Sequence, residues 1–271
     1  MKIKGILSRT KIKRALSSRF RSWVNSNIQQ SIVLLHDHQN LFPNTNYSEH
    51  YLNVCWQLLE SYTCPLVLHL GCGRDRAQLT THRPEIRSVK FMGVDIDFNS
   101  LKNYPQNFRV QADLKALPFR TSTFDLAMSE EVFEHIEHPD AVISEAARVL
   151  KAGGKIAFST PNKLGYISFI SLLTPLSFHR WVQDLLNPDD PQGHFLYPTF
   201  YRLNSPMSIN RIFHKYSFRQ IRFELTEPWP WMLRIHPLLL KIGILWGLLI
   251  QRFKSLAWFR NRILGVYELI K

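Results

Sequence analysis

The sequence predicts an α/β fold: a doubly wound, mostly parallel sheet with helices on both faces. Three observations carry this. An apolar run of strand length, Leu66–Leu70, ends in Gly71-Cys72-Gly73, the pattern of a buried parallel strand entering a tight turn. A second apolar strand, residues 90–94, begins seventeen residues after Gly73 and ends in Asp95. Beyond it, strand-like and helix-like stretches alternate as far as Ser159.

In chain order, Ile3, Ile6, Leu7, Leu16, Phe20 and Trp23 recur at helical spacing among lysines and arginines. Residues 1–44 therefore read as a basic amphipathic arm suited to a membrane surface, or as a solvated arm. Residues 47–62 predict a helix with Tyr51, Val54, Cys55, Leu58 and Leu59 on one face. The core, 45–271, then gives strand 66–70, helix 74–82, strand 89–94, helix 98–104 and strand 108–111. Strand 124–129 precedes an amphipathic helix, 139–150, with Val142, Ile143, Ala146 and Leu150 inward. Gly153-Gly154 reads as the stop of that helix, before strand 155–159. Helix 205–213, strand 219–225 and a closing strand 262–270 follow. Between the last two lies an insertion, 227–260, whose apolar run 238–250 is interrupted by Lys241. A spanning helix needs about 20 apolar residues, so this segment does not cross a bilayer. Its flanking tryptophans and arginines suit an interfacial helix, and equally a core helix or a dimer interface.

Charge is uneven. Residues 1–36 hold eight Lys/Arg and no acid, 37–160 hold twelve against fifteen acids, and 161–271 hold fourteen against six. Basic flanks around a near-neutral core suit anionic partners. Three cysteines make no disulfide framework, and no apolar segment of signal-peptide length opens the chain. A cytoplasmic protein, peripheral at the membrane, is expected. No Cys/His cluster has metal-ligand spacing, so no metal is expected.

A glycine turn followed about twenty residues later by an acid is the logic of an adenosine-binding α/β fold. Further motifs follow in order: Ala112-Asp113-Leu114, Leu117-Pro118-Phe119, Thr123 to Met128, Glu131-Val132-Phe133-Glu134-His135-Ile136, and Ala147 to Lys155. Together these resemble the class I S-adenosylmethionine-dependent methyltransferases, specifically the type 11 methyltransferase domain family, over residues 64–162. The resemblance implies a Rossmann-like, seven-stranded sheet with an antiparallel last strand, and S-adenosylmethionine as cofactor. It implies that Gly71, Cys72 and Gly73 lie against the methionine part of the cofactor. Asp95 would take the ribose hydroxyls, Ile96 would lie beside the adenine, Asp113 would accept from the adenine amine, and Leu114 would present its N–H. Glu130, at the end of the fourth strand, joins the cofactor set.

One position departs from the family's Gly-x-Gly-x-Gly: Asp75 stands at the third glycine. Its carboxylate would bind the cofactor's ammonium or cap a helix. It would also repel a pyrophosphate, which argues against a nucleotide-dependent oxidoreductase. Two histidines, His135 and His194, are candidate general bases. The expected acceptor is a small-molecule, glycan or lipid-linked compound. Nucleic acid is disfavoured because Ser129-Glu130-Glu131 puts an acidic rim where a phosphate backbone would pass. A non-catalytic, membrane-associated scaffold with the same fold stays open.

Overall fold

The computed structural model describes residues 19–20, 22–36, 47–73, 89–102, 104, 108–186 and 197–270. The helix expected at 74–82, Asp75, His194 and most of the N-terminal arm lie outside the described residues. The chain divides into two compact units, one of Asn46–Ile170, Tyr197–Glu227 and Ala257–Lys271, the other of Met1–Thr45, Ser171–Leu196 and Pro228–Leu256.

The first unit is built on a seven-stranded sheet. Its strands are β1 (Leu66–Leu70), β2 (Lys90–Asp95), β3 (Arg109–Gln111), β4 (Phe124–Glu130), β5 (Leu150–Pro161), β6 (Phe218–Thr226) and β7 (Arg262–Leu269), in the order 3-2-1-4-5-7-6. β1 to β5 run parallel, and β7 lies antiparallel between β5 and β6. The seven-stranded, mostly parallel sheet with a reversed last strand is the one expected.

Side-chain alternation with period two divides the sheet between two cores. Leu68, Leu70, Ala127, Ile156 and Phe158 face one side, under α4 (Pro139–Val149) and α7 (Pro206–Lys215). Val67, Leu126, Met128 and Ala157 face the other, under α2 (Tyr47–Leu59), where Tyr51, Val54, Cys55 and Leu59 are buried as their spacing predicts. The Tyr51 hydroxyl, fully buried, accepts from the Ser129 N–H at 3.0 Å and donates to the Ala157 carbonyl at 3.3 Å.

One stop signal reads differently in three dimensions. The helix ends at Val149, not at Gly153-Gly154, because Leu150 is already paired with Phe124 of β4. The next paired residues are Leu126 and Lys155, so 151–154 form a bulge inside β5 with Gly153 at φ 73°. The helix after β2, α3 (Phe98–Lys102), is shorter than expected.

The second unit is helical. Residues 22–36 form α1, joined by α6 (Leu176–Leu186) and α8 (Pro237–Arg252), while α5 (Tyr166–Leu173) runs across the division between units. Val24 and Ile28 pack with Val182, Leu186 and Ile235, and Leu35 packs with Leu240 and Ile244. α8 buries Leu240, Gly243, Ile244, Gly247 and Ile250 on one side. On the other, Leu238, Ile242, Leu245 and Leu249 form an exposed apolar stripe at i, i+4, i+7 and i+11. Among the described residues no helix is long and apolar enough to cross a membrane.

Phe213 closes the larger core. Its ring lies 4.4 Å from Tyr267 and 5.3 Å from both Phe158 and Phe218. Replacing it with alanine opens a cavity among rings that cannot collapse, at a cost of about 3–5 kcal/mol. Urea denaturation of Phe213→Ala measures this; a loss below about 1 kcal/mol would contradict the packing role.

Candidate functional site

The strand order reverses between β1 and β4, and ligands of such sheets bind outside the carboxyl ends at that switch. The registers bring the relevant residues to one edge. Leu70 pairs with Val94, Asp95 with Gln111, and His69 with Met128. Gly71, Asp95, Ala112-Asp113 and Glu130 therefore end neighbouring strands at the same level.

The glycine turn is shaped by two separate demands. Gly71 has φ 62°, and a Cβ there would sit 2.5 Å from Val132 Cγ2, so the loop after β4 packs where a side chain would be. Gly73 has φ 48°, and a Cβ there would meet Asp95 Oδ2 at 3.9 Å and the Gly71 carbonyl oxygen at 4.0 Å without a clash, so the backbone conformation is what calls for glycine. Cys72 turns its buried side chain inward beside Leu101 and Tyr104, so only its main chain borders the edge. Asp95 is locked to this turn. Its Oδ2 accepts the Gly73 N–H at 2.8 Å, and its Oδ1 accepts the Asp97 N–H at 2.8 Å. Each oxygen keeps a further lone pair. Ile96 is 61% exposed, so it is not a core residue. The main-chain cradle, the fixed carboxylate and the bare apolar surface together fit a nucleoside with a methionine tail.

Asp113 makes a local turn: Oδ1 accepts the Lys115 N–H at 3.0 Å, and Oδ2 lies 3.2 Å from Lys115 Nζ. Leu114 is half-buried against the larger core.

Past β4 the chain turns sharply at Glu131, a non-glycine residue with φ 55°. A 3₁₀ turn, Phe133–His135, follows. The segment 198–202 is stitched to it. Phe200 and Tyr201 donate main-chain N–H groups to the Glu134 carbonyl at 2.7 and 3.2 Å. The His135 Nδ1–H donates to the Pro198 carbonyl at 2.9 Å. That bond sets the tautomer and leaves Nε2 with its lone pair. Burial holds the imidazole pKa below its ordinary value, so the ring is neutral at neutral pH. Tyr197 meets the His135 ring edge-on at 5.8 Å and donates its hydroxyl to Asp97 Oδ2 at 3.2 Å. The Ser100 hydroxyl bonds the same Asp97 carboxylate at 2.7 Å and holds its pKa below the usual range.

Under this rim lies a charged network. Arg262, at the start of β7, pairs with Glu131 and donates to Ser159 Oγ at 3.1 Å. Its guanidinium carbon sits 3.9 Å from the Tyr47 ring centroid. Burial opposes the charge on Arg262, but Glu131, Tyr47 and Glu134 together outweigh it and raise the pKa above its ordinary value. The Glu131 charge pushes the Tyr47 phenol up to about 12. Glu134 is buried and accepts from Thr160 Oγ1 at 3.1 Å.

The sequence thus marked Gly71, Gly73, Asp95, Glu130 and His135, which the fold gathers along one edge. It passed over Asp97, Tyr197, Tyr47 and Arg262. The Asp-Ile-Asp spacing signals Asp97; nothing local signals Arg262, whose partners come from distant strands. Among the described residues no group of three or more His, Cys, Asp or Glu could hold a metal ion.

Burial, reinforced by Glu131, pushes the Glu134 carboxyl well above the usual range. The folded chain therefore keeps a proton that the unfolded chain releases. That stabilisation is full below the unfolded carboxyl value and is lost as pH rises towards the folded one. Chemical denaturation from about pH 5 to about pH 8 should show falling stability, by up to about 1.4 kcal/mol per pH unit. Glu134→Gln should flatten the slope; an equal slope in the variant would assign it to another group.

Comparison with known proteins agrees with this architecture. Residues 68–158 match the family model described as a methyltransferase domain. The mitochondrial ubiquinone biosynthesis O-methyltransferase of Dictyostelium discoideum is 28% identical over 155 residues, which is 48% of this chain and 47% of that protein. The ubiquinone biosynthesis O-methyltransferase of Idiomarina loihiensis is 32% identical over 106 residues, 36% of this chain and 42% of that protein. The chain thus spans less than half the length of these two curated relatives. In fold, the YcgJ protein of Bacillus subtilis superposes with a TM-score of 0.51 at 16% identity, covering 82% of this chain and 99% of that one. Strand order, the glycine turn with its acid at the tip of β2, and the matched span agree: residues 68–158 are similar to the methyltransferase domain family, on a sheet with the strand order 3-2-1-4-5-7-6.

Proposed function

We propose that this protein transfers a methyl group from S-adenosylmethionine to an oxygen of an amphiphilic small-molecule, glycan or lipid-linked acceptor. The single observation that supports it most is the carboxylate of Asp95, fixed by N–H groups from Gly73 and Asp97 at the switch edge. The cofactor supplies a methyl group already activated on a sulfonium. The protein's task is then to hold and align the reactants. In this reading Gly71, Cys72 and Gly73 offer main chain to the methionine part. Asp95 takes the ribose hydroxyls, Ile96 covers the adenine, and Asp113 with Leu114 meets its edge. Glu130 closes the set from β4.

His135 is the general base of this reading. It is neutral, its Nδ1–H is anchored on Pro198, and Nε2 is left to accept a proton from an acceptor hydroxyl. An oxygen acceptor is favoured because the two curated relatives are named as O-methyltransferases. His194 remains the other candidate base.

Peripheral membrane contact joins this reading on one observation. α8 is apolar on its exposed as well as its buried side, and its outer stripe, Leu238 to Leu249 with Leu245 62% exposed, has Lys241 and Arg252 on the same helix. The helical unit that carries it holds thirteen Lys/Arg against four Asp/Glu. An anionic leaflet matches both features.

Two measurements test the reading. Asp95→Ala should lose about 2–3 kcal/mol of affinity for S-adenosylhomocysteine, some 30- to 150-fold by calorimetry. Unchanged affinity would remove Asp95 from the site. Wild-type protein should sediment with anionic liposomes at low salt and release as salt rises, and Ile242→Asp with Leu245→Asp should weaken this. If the protein stays in the supernatant at low salt, the stripe is a contact between protein surfaces instead.

A further inference from the structure

On the sheet-bearing unit, an 830 Å³ cavity opens where the first turns of α4 and α7 converge. Its wall gathers four cations from separate parts of the chain: Lys115 after β3, Lys163 after β5, and Arg202 and Arg211 before and within α7. Two carboxylates, Glu137 and Asp140, share the wall. Asp140 is already engaged by Lys215 and by the Tyr216 hydroxyl, which hold its pKa below the usual range. Arg202 is fixed: it donates to the Glu137 carbonyl at 2.7 Å, lies 5.6 Å from the Phe200 ring centroid, and has Glu137 Oε1 3.9 Å away. Lys115 is held by Asp113. Lys163 Nζ and the Arg211 guanidinium also line the cavity, and Arg211 acts on the Asp140 carboxylate through its charge alone. Four cations face two carboxylates, of which Asp140 answers to Lys215 from outside the wall as well as to the charge of Arg211, and the balance leaves a net demand for negative charge. The first turns of α4 and α7, which also line the cavity, add positive potential of their own.

We propose that this cavity binds the phosphate or diphosphate group of a phosphate-bearing ligand, which under the methyltransferase reading is the acceptor. A diphosphate fills only part of 830 Å³, and Phe200 and Ile212 give the remainder an apolar wall. The site therefore takes an amphiphile with an anionic end rather than a free ion alone. Its position supports the link to the acceptor. Phe200 lines the cavity and is bonded through its N–H to the Glu134 carbonyl, next to His135, whose Nδ1 is held by Pro198.

The test is calorimetric titration of the full chain at low ionic strength with two probes, inorganic pyrophosphate and monomeric dihexanoyl phosphatidic acid. Wild type is compared with the Lys163→Ala, Arg211→Ala double variant and with Arg219→Ala, an exposed arginine on β6 away from the cavity. Wild type and Arg219→Ala should bind, and the double variant should bind at least about tenfold more weakly, as expected when two charge-assisted contacts are lost. Tighter binding of the lipid identifies a lipid headgroup as the source, and equal binding identifies a soluble phosphate ester; both support the site. Absence of binding of either probe to wild type overturns it, and so does undiminished binding to the double variant. The same samples are titrated with S-adenosylhomocysteine. Retained affinity there shows that the variants are folded. If wild type fails with S-adenosylhomocysteine, the cofactor reading falls while the anion result stands on its own.

Discussion

A guanidinium buried among strands is the constraint on which the active edge of this molecule turns. Arg262 opens β7 out of reach of water, and an unpaired charge there would cost several kcal/mol. The chain meets that demand with Glu131, the Tyr47 ring and the Ser159 hydroxyl, drawn from the loop after β4, from α2 and from β5. Glu131 adopts a left-handed backbone that a side chain ordinarily avoids, and the ion pair accounts for why it stays there. Once Glu131 is placed, Val132 is carried against Gly71 and the following 3₁₀ turn is set in direction. The glycine turn and the loop after β4 are thus fixed by one electrostatic demand.

The rest of the edge shows how a parallel sheet concentrates chemistry. Strand ends that are far apart in sequence arrive at one level, where the last or next residue of several strands borders a single edge. Here those residues are Gly71, Asp95, Ala112 and Glu130. Polar groups at this edge are satisfied by short side-chain and main-chain bonds, such as those that hold Asp95 and Asp97.

Much of this was legible in the sequence because it is local. A strand, its turn and the acid at the next strand's tip are each written in fewer than ten residues, and so is the amphipathic face of α2. What was not legible depended on distance. Gly153-Gly154 carries a genuine stop signal, but β4 captured Leu150 first and ended the helix at Val149. Arg262 looked like an ordinary basic residue at the head of a strand, because its partners lie at positions 47, 131 and 159. The cationic cavity was hidden for the same reason, since four separate stretches build it. α8 gave its apolarity away but not its orientation, because apolar residues stand on its exposed side as well as its buried one.

The bridge made by Tyr197 and Pro198 has a thermodynamic consequence. Through its hydroxyl, Tyr197 touches the carboxylate of Asp97, whose own N–H supports Asp95; through its ring, and through the carbonyl of the next residue, the same short stretch holds His135. Two neighbouring residues therefore span from the acid at the tip of β2 to the imidazole after β4. Under the proposed reading, with cofactor at one end and acceptor at the other, a ligand that orders either end would favour occupancy of the other by an equal free energy. In that reading the kinetic expression of such a bridge would be an ordered sequence, in which the first ligand to bind prepares the pocket for the second.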